Sequence, residues 1–542
     1  MDRGHQGGDS FVFWRAGLGF AAFWEAPVPI LDRRRMMTLL AASMLTPQPA
    51  RAATGLVLGP PRPFRPEALK AQAAALAARP YRPAPLPDAV RAIDFDKAQA
   101  IRFRPEDALW RGMAGADPVA FFHLNRYSGP PVAISALADG QAREVVYASR
   151  YFDYGRAGSS LSHVPGMGFG GFRVMNGQNA PTDWLAFQGA SYFRSSGQDD
   201  QYGASARGIA VDTGLAGPEE FPRFSRFWLA PAANGIVIHA LLEGPSVTGA
   251  YRFDCAKHDG VTMDVHCDLF ARADIGRLGI APLTSMYWYG ENERVHDPDW
   301  RPEIHDSDGL ALWTGKGERI WRPLVNPPAV QTNAFLDDAP KGFGLIQRDR
   351  DFDHYQDDGA FYDRRPSIWV EPSGNWGRGA VQLVEIPTDG ETMDNIVAFW
   401  TPEAPMRRGG RLSFDYRLYW QDLEPFYPAG LARAVALRIG RGGIPGAPQW
   451  PHDMRKFVID FAGGALDGLA QRYDLEPVVD VTYGDGRQGE VRHAHVLKVV
   501  GTRRWRASFD VTLGKTPINL RCFVRLGGRA LTETWIYQYL GR

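Results

Sequence analysis

The sequence predicts an all-β protein of two domains, and three observations support this prediction. The chain has 542 residues, which is more than one ordinary domain holds. Its 59 glycines and 41 prolines indicate a turn-rich architecture rather than a helical one. Short strand-like runs broken by turn dipeptides fill most of the chain, with no alternation of strands and helices. A Rossmann fold or an α/β barrel is therefore disfavoured.

The first 52 residues have the pattern of an export signal. Arg33–Arg35 precedes the apolar run from Met36 to Leu45, and Ala50–Ala52 supplies a small-residue cleavage site. Consecutive arginines before a modest apolar run are typical of the twin-arginine route. We therefore expect residues 1–52 to be removed, leaving a soluble periplasmic protein without a membrane-spanning segment.

Residues 53–400 are predicted to form the larger, N-terminal domain. One helix is expected near its start, from Pro66 to Ala78, because a leading proline is followed by strong helix formers. From about residue 118 the pattern changes to short strands. Hairpins or tight loops are expected at Asp139-Gly140, Asn176-Gly177, Asn234-Gly235, Asp259-Gly260, Asp308-Gly309, Asp358-Gly359 and Asp389-Gly390.

Residues 401–411 are predicted to be a linker, because this stretch combines proline, glycine and charge without an apolar period. Apolar and more polar residues then alternate from Leu412 to Trp420, which predicts a half-buried strand. Similar runs recur at Val491–Val500, Ala507–Leu513 and Thr532–Tyr539. Residues 412–542 are therefore expected to form a C-terminal β-sandwich of immunoglobulin-like size.

Charge and cysteine content exclude several classes of protein. The chain has 61 Lys+Arg and 61 Asp+Glu, which argues against a nucleic-acid-binding protein. The cysteines, Cys255, Cys267 and Cys522, have no CxxC spacing, so a zinc site is not expected. We expect three buried or free thiols, with a disulfide between Cys255 and Cys267 as the less favoured alternative.

Common catalytic motifs are missing from the sequence or lie in the wrong context. Residues 166–171 match GxGxxG, but strand and turn residues follow where a dinucleotide site needs a helix. The acidic runs starting at Asp306 and Asp349 do not have the Glu that an EF-hand requires at position 12. No cofactor or metal is therefore expected.

Carboxylates, aromatic rings and arginines are unusually dense between residues 287 and 400. Each acid alone is expected on a solvated strand face, but sugar sites combine these residue types. Glycosidic cleavage in particular needs two carboxylates, one of them protonated. The acids, aromatic rings and arginines of this segment include Tyr287, Asp306, Asp308, Tyr362, Arg365, Trp369, Glu391 and Asp394.

The same segment and its surroundings resemble the periplasmic glucan biosynthesis proteins G and D (OpgG/OpgD, also called MdoG/MdoD). The resemblance covers roughly residues 55 to 542. It is carried by the runs YASRYFDYG, DWLAFQGASYFR, YGASARGIAVDT, EEFPRFSRFW, GPSVTGAYRF, LGIAPLTSMYWYGEN, RPEIHDSDGL, IWRPL, GFGLIQRDRDF, YDRRPSIWVEP, NWGRGAVQLVEIPT and DNIVAFW. The leader favours the D type and the central region reads at least as much like the G type, so both remain open.

This resemblance implies a fold and a function. The fold would be a large galactose-mutarotase-like β-sandwich followed by an immunoglobulin-like β-sandwich. The function would be the making of osmoregulated periplasmic glucans, whose backbone is β-1,2-linked glucose. Family members are inverting β-1,2-glucan hydrolases (glycoside hydrolase family 186), and some relatives are anomer-inverting transglycosylases that cyclise the glucan.

The resemblance also implies roles for four of the candidate residues. Asp394 matches the general acid, and Asp306 matches the general base that acts through a water relay. Tyr362 matches a tyrosine near the reacting glucose, and Glu391 matches a supporting acid. We expect burial beside another acid, such as Glu391, to raise the pKa of Asp394.

The remaining candidates, Asp308, Arg365, Trp369 and Tyr287, are predicted to bind substrate. A non-catalytic glucan-binding scaffold that assists the inner-membrane glucan synthase remains an alternative to the enzyme. A mutarotase or epimerase is a weaker alternative, because it rests on the fold alone. The residues of this sequence do not distinguish hydrolysis of the glucan from cyclising transfer.

Overall fold

The structure, a computed structural model, describes residues 55–158, 161–162, 164, 167–293, 299–444, 446–447 and 451–541. The predicted export signal, residues 1–52, lies outside the described residues. Among the described residues, no helix is long and apolar enough to cross a membrane.

The described residues form mainly β-sheets, which confirms the all-β prediction. The largest sheet has 16 strands and extends through both halves of the chain. In spatial order its strands are Arg62–Pro63, Gln141–Glu144, Ala133–Ala138, Arg223–Ala232, Gly235–Glu243, Val247–His258, Gly260–Ala271, Arg411–Gln421, Ser367–Ser373, Gly342–Ile346, Gly309–Trp313, Arg319–Pro323, Thr534–Tyr539, Ile518–Leu526 and Glu476–Tyr483, with Arg529–Ala530 paired to Ile518–Leu526.

A second sheet of 10 strands forms the other layer of the N-terminal sandwich. In spatial order its strands are Gln331–Asp338, Arg378–Glu385, Ile396–Pro402, Leu278–Ser285, Ser205–Arg207, Tyr192–Ser195, Asp183–Gln188, Phe169–Met175 and Val119–His123, with Ile209–Val211 paired to Leu278–Ser285. Three small sheets complete the β-structure: Tyr287–Tyr289 with Ile304–His305, Arg102–Phe103 with Phe152–Asp153, and the strands Arg433–Arg441, Met454–Ala462, Trp505–Thr512 and Val491–Lys498.

The helices are few and short. The predicted helix is confirmed as Pro66–Ala77, and its buried Leu69 and Ala73 pack on Leu241 and Phe270 of the largest sheet. The other α-helices are Asp88–Arg91, Phe95–Ala100 and Phe352–Tyr355. Single 3₁₀ turns lie at Pro105–Asp107, Ser149–Tyr151, Gly155–Ala157, Glu291–Glu293, Tyr362–Arg364 and Gly464–Leu466.

Turn chemistry accounts for several of the strand pairs. Asp139 and Gly140 have φ values of 49° and 71°, so this dipeptide forms the tight turn between Ala133–Ala138 and Gln141–Glu144. Positive φ at both turn residues matches the right-handed twist of the flanking strands. Asn234 (φ 59°) plays the same part between Arg223–Ala232 and Gly235–Glu243. The predicted hairpins at these positions are confirmed.

An aromatic layer joins the two sheets of the N-terminal sandwich. Phe187 of the 10-stranded sheet stacks on Phe172 and Phe193 at centroid distances of 5.2 and 5.0 Å. Its ring also meets Phe227 and Phe253 of the largest sheet edge-on, at 5.7 and 5.3 Å. Aromatic pairs of this kind stabilise a core by about 0.5–1.5 kcal/mol each beyond the area they bury.

The strand that we expected to open the C-terminal domain belongs to the N-terminal sandwich. Arg411–Gln421 pairs with Gly260–Ala271 on one side and with Ser367–Ser373 on the other. Its alternating pattern predicts a half-buried strand correctly, but such a pattern does not specify the neighbouring strand. We therefore propose that the domain boundary follows Gln421 instead of falling at residues 401–411.

The two domains share more than a linker. The strand Thr534–Tyr539 pairs in parallel with Arg319–Pro323, so the largest sheet continues from one domain into the other. A second hydrophobic core mixes residues of both, such as Trp321 and Trp369 with Phe509 and Trp535. All three cysteines are buried and unpaired, as predicted.

Candidate functional site

The candidate site lies where two neighbouring strands of the 10-stranded sheet meet the first small sheet. Ser285, at the end of one strand, pairs with Ile396 at the start of the next. Asn395 then clamps Tyr287: its Oδ1 accepts from the Tyr287 N–H at 2.8 Å, and its Nδ2 donates to the Tyr287 carbonyl at 2.9 Å. Asp394 is thereby fixed next to the hairpin that leads to Asp306.

Asp306 is fully buried and forms an ion pair. Its Oδ1 accepts a hydrogen bond from Arg365 Nη1, and the backbone N–H of Asp306 donates to the Met286 carbonyl at 2.8 Å. Among the described residues, its Oδ2 has no hydrogen-bond partner. Arg365 donates to the Ala360 carbonyl through Nη2 at 3.2 Å and through Nε at 3.3 Å. Its guanidinium group also lies over the Tyr362 ring, 4.0 Å from the ring centroid. One oxygen of Asp306 is thus paired and the other is available.

Asp394 is buried, with 8% of its surface exposed. Burial and the nearby charge of Asp306 raise the pKa of Asp394 to about 6, against the opposing charges of Arg194 and Arg207. The structure thus shows the expected rise from burial beside another acid, and the acid that contributes most is Asp306 rather than Glu391, the example we named. A carboxyl in such an environment keeps its proton at a higher pH than an exposed one.

Glu391 and Tyr362 form a separate hydrogen-bonded group. The Tyr362 hydroxyl donates to Glu391 Oε2 at 2.7 Å, and Arg301 Nη1 donates to the same oxygen at 2.8 Å. Arg301 also binds Asp357 at 2.6 Å. Tyr362 begins a 3₁₀ turn that follows Phe361, whose φ of 49° is unusual for a bulky residue. The hydrogen bonds hold this turn in place.

Asp308 and Tyr287 lie on the other side of the small sheet, around His305. The Tyr287 ring stacks on His305 at 5.5 Å, and Asp308 Oδ1 lies 3.5 Å from His305 Nδ1. Burial alone lowers the pKa of His305, but its hydrogen bond to Glu303 and the nearby carboxylates raise it to about 9. Burial raises the pKa of Asp308 to about 6.

A small cavity of about 50 Å³ lies between the two domains, and Tyr287 and Asp308 line it. A larger cavity of about 790 Å³ shares Glu291 and Glu303 with it. Among the described residues, Asp306 and Asp394 line neither of these two cavities. The predicted substrate-binding residues thus divide between two places.

Trp369 belongs to neither place. It is 1% exposed in the strand Ser367–Ser373 and packs in the core shared by the two domains. A ring buried there has no face free for a sugar, so the position of Trp369 argues against our prediction that it binds substrate.

Sequence reasoning missed three residues around Asp394. The charges of Arg194 and Arg207 act on Asp394, and Asp394 in turn acts on the half-buried Tyr192. Arg207 lies over the Tyr192 ring at 4.7 Å and binds Glu219 at 2.6 Å. All three lie in the runs DWLAFQGASYFR and YGASARGIAVDT, so those runs could have indicated them.

One group of side chains has the composition of a metal site. Ligand atoms of Glu303, Asp349 and His354 lie within 4.8 Å of one another. His354 Nδ1 already pairs with Asp349 Oδ2 at 2.5 Å, and Glu303 pairs with His305 at 3.0 Å. These internal pairs account for the cluster without an ion.

Comparison with known proteins identifies the family. The family model described as "Periplasmic glucan biosynthesis protein, MdoG" matches residues 64–539. The chain therefore belongs to this family, as the resemblance predicted, and the protein is periplasmic.

Individual relatives agree over nearly the whole chain. "Glucans biosynthesis protein D" of Xanthomonas oryzae pv. oryzae (strain KACC10331 / KXO85) is 47% identical over 94% of this chain and 98% of its own length. The protein of the same name from Stenotrophomonas maltophilia (strain K279a) is 48% identical over 89% and 91%. "Glucans biosynthesis protein D 2" of Ralstonia nicotianae (strain ATCC BAA-1114 / GMI1000) is 47% identical over 94% and 97%.

Proposed function

We propose that the protein acts on β-1,2-glucan by an inverting mechanism, with Asp394 as the general acid and Asp306 as the general base. One observation carries the proposal: two buried aspartates interact, and among the described residues only Asp306 of the two forms an ion pair. Arg365 supplies a positive charge to Asp306, whereas burial and the Asp306 charge raise the pKa of Asp394 to about 6. A carboxyl with a raised pKa beside an ion-paired carboxylate suits one acid and one base.

Asp394 would donate its proton to the glycosidic oxygen as the bond from that oxygen to the anomeric carbon breaks. The general acid must be protonated before the reaction, so the raised pKa is what the role requires. The protonated fraction falls as the pH rises through about 6. The rate should therefore decrease above that pH.

Asp306 would take the proton from the attacking water. That water adds to the anomeric carbon from the face opposite the departing oxygen, which inverts the configuration. Because Oδ1 of Asp306 is held by Arg365, Oδ2 is the oxygen available to accept the proton, directly or through another water. The proton lost by Asp394 and the proton gained by Asp306 balance over one turnover.

The hydrogen-bonded group of Tyr362, Glu391 and Arg301 would hold the reacting glucose. The Tyr362 hydroxyl and the second oxygen of Glu391 are suited to sugar hydroxyls, because they form directional hydrogen bonds. Their fixed positions would orient the sugar without a further cost at the moment of reaction.

The test uses the mature protein, from residue 53 onward, incubated with linear β-1,2-glucan, with products analysed by mass spectrometry. Asp394→Asn and Asp306→Asn should each reduce turnover by at least 100-fold while glucan binding remains. The control is Asp389→Asn, an exposed acid in the same loop as Asp394, which should retain wild-type turnover. Turnover that survives both site substitutions would disprove the assignment.

The product masses separate the forms of the reaction. Shorter linear glucans mean hydrolysis, and products lighter than these by one water mean cyclising transfer to a hydroxyl of the same chain. Binding without any product would instead support the glucan-binding scaffold that assists the membrane synthase.

A further inference from the structure

Trp300 has an exposure that sets it apart from the other tryptophans. It is 71% exposed, and among the described residues no other tryptophan is exposed by more than about a third. The remaining described tryptophans are buried or half-buried and serve the cores, as Trp184, Trp400 and Trp505 do. Exposing a large aromatic ring to water costs free energy, and a bound ligand that covers the ring would remove that cost.

The residue that follows Trp300 is held by several hydrogen bonds. The Arg301 side chain forms two hydrogen bonds to the Asp299 carboxylate, through Nε at 3.0 Å and Nη2 at 2.8 Å. The Arg301 N–H donates to Asp299 Oδ1 at 3.0 Å, and the Tyr289 hydroxyl donates to the Arg301 carbonyl at 2.9 Å. The backbone directly after Trp300 is therefore held in place.

The same turn is tied directly to the candidate site. Arg301 Nη1 binds the Glu391 oxygen that also accepts from Tyr362, at 2.8 and 2.7 Å. Trp300 is thus the sequence neighbour of an arginine that binds Glu391. Its backbone therefore lies next to the hydrogen-bonded group of Tyr362, Glu391 and Arg301.

We propose that Trp300 is a binding platform on which one glucose ring of the glucan chain stacks. The inference rests on the proposed function, because it concerns the same site and the same substrate. A pyranose ring has an apolar face of C–H groups and a rim of hydroxyls. A rigid indole suits the face, and nearby carboxylates and arginines suit the rim. Single exposed apolar residues are common, but this one adjoins an arginine that binds the candidate site.

The test measures the affinity of linear β-1,2-glucan by calorimetry in the Asp394→Asn background, where the chain is not consumed. Trp300→Ala should weaken binding at least fivefold, and Trp300→Phe, which keeps an aromatic face, should lose less. With the wild-type Asp394, Trp300→Ala should raise KM and leave kcat within about twofold. Tyr473→Ala is the control, because Tyr473 is 81% exposed in the C-terminal domain.

Each outcome distinguishes the two proposals. Unchanged affinity in Trp300→Ala, with binding intact in Asp394→Asn, would reject the platform and leave the proposed function standing. Full turnover in Asp394→Asn would reject the proposed function, whereas the effect of Trp300→Ala on KM would still report on the platform. Failure of Asp394→Asn and of the wild type to bind the glucan would reject both.

Discussion

Among single residues, Asp394 carries the clearest conflict between stability and chemistry. Its raised pKa, about 6 against an ordinary value of 3.8, means that the folded state favours the protonated form. At neutral pH the folded protein must ionise a buried carboxyl beside Asp306, which costs free energy. The environment that keeps Asp394 protonated for catalysis therefore lowers the stability of the folded protein at neutral pH.

This linkage predicts that Asp394→Asn is more stable than the wild type at pH 7. The folded state binds more protons than the unfolded state between pH 3.8 and about 6, so the Asp394 contribution to stability decreases over that range as the pH rises. The gain of Asp394→Asn should approach at most about 3 kcal/mol above pH 6, fall to about 0.5 kcal/mol at pH 4 and vanish below pH 3.8. Denaturant unfolding of both proteins at pH 4, 5, 6 and 7 measures it. A difference that does not change with pH would contradict the pKa shift.

Motifs could predict part of the site but not its full surroundings. Asp306 and Asp394 lie in runs that resemble a known family, so their roles could be proposed from sequence. Arg194 and Arg207 come from strands far earlier in the chain, and sequence spacing gives no measure of their distance from Asp394. Glu391 was expected to raise the pKa of Asp394 because it is close in sequence. The acid that acts on Asp394 in the structure is Asp306, which is remote in sequence.

Among the elements, the strand Arg411–Gln421 shows that the alternation of apolar and polar residues predicts a strand but not its neighbours in the sheet. Its alternation of apolar and polar residues predicts a strand with one buried face, and the structure confirms this. Which strands it joins depends on contacts with Gly260–Ala271 and Ser367–Ser373, which are remote in sequence. The proline- and glycine-rich residues 401–411 suggested a domain boundary, whereas they connect Ile396–Pro402 of the 10-stranded sheet to Arg411–Gln421 of the largest sheet.

The central position of this strand predicts a large effect of Leu418→Ala. Leu418 is 1% exposed and pairs with Met263 on one side and Val370 on the other. The loss of its side chain should reduce the free energy of unfolding by about 2–5 kcal/mol, because a cavity forms in a packed core.

The matched control is Leu336→Ala in the edge strand Gln331–Asp338. Leu336 is 86% exposed, so its substitution should change stability by no more than about 0.5 kcal/mol. Equal effects of the two substitutions in chemical denaturation would mean that Arg411–Gln421 is not a core strand.

For the whole molecule, a buried ionic network joins the two domains at Arg348. This arginine follows the strand Gly342–Ile346 of the N-terminal sandwich and binds Glu533 at 2.5 and 3.1 Å. It also binds Glu424 at 2.9 Å and lies 3.7 Å over the Trp321 ring. Together with the shared sheet, this network favours a single cooperative unfolding transition.

Glu533→Gln tests the network, because it removes a charge with little change in shape. Arg348 would then lack one of its two buried counter-charges, and stability should decrease by about 3 kcal/mol or more. The surface pair of Arg378 and Glu403, at 3.0 Å with 71% and 58% of the side chains exposed, provides the control. Glu403→Gln should cost no more than about 1 kcal/mol. Two separate transitions in calorimetry of the wild type would contradict the coupling.

The parallel pairing of Thr534–Tyr539 with Arg319–Pro323 also constrains the order of events during synthesis. This strand lies between Arg319–Pro323 and Ile518–Leu526 in the sheet, and it follows both of them in the sequence. Until it has been synthesised, both neighbours present unpaired backbone edges, which can pair with another chain. The growing chain therefore cannot complete its largest sheet before Thr534–Tyr539 is available. A chain truncated just before Thr534 should be lost to aggregation even though every candidate site residue is already present.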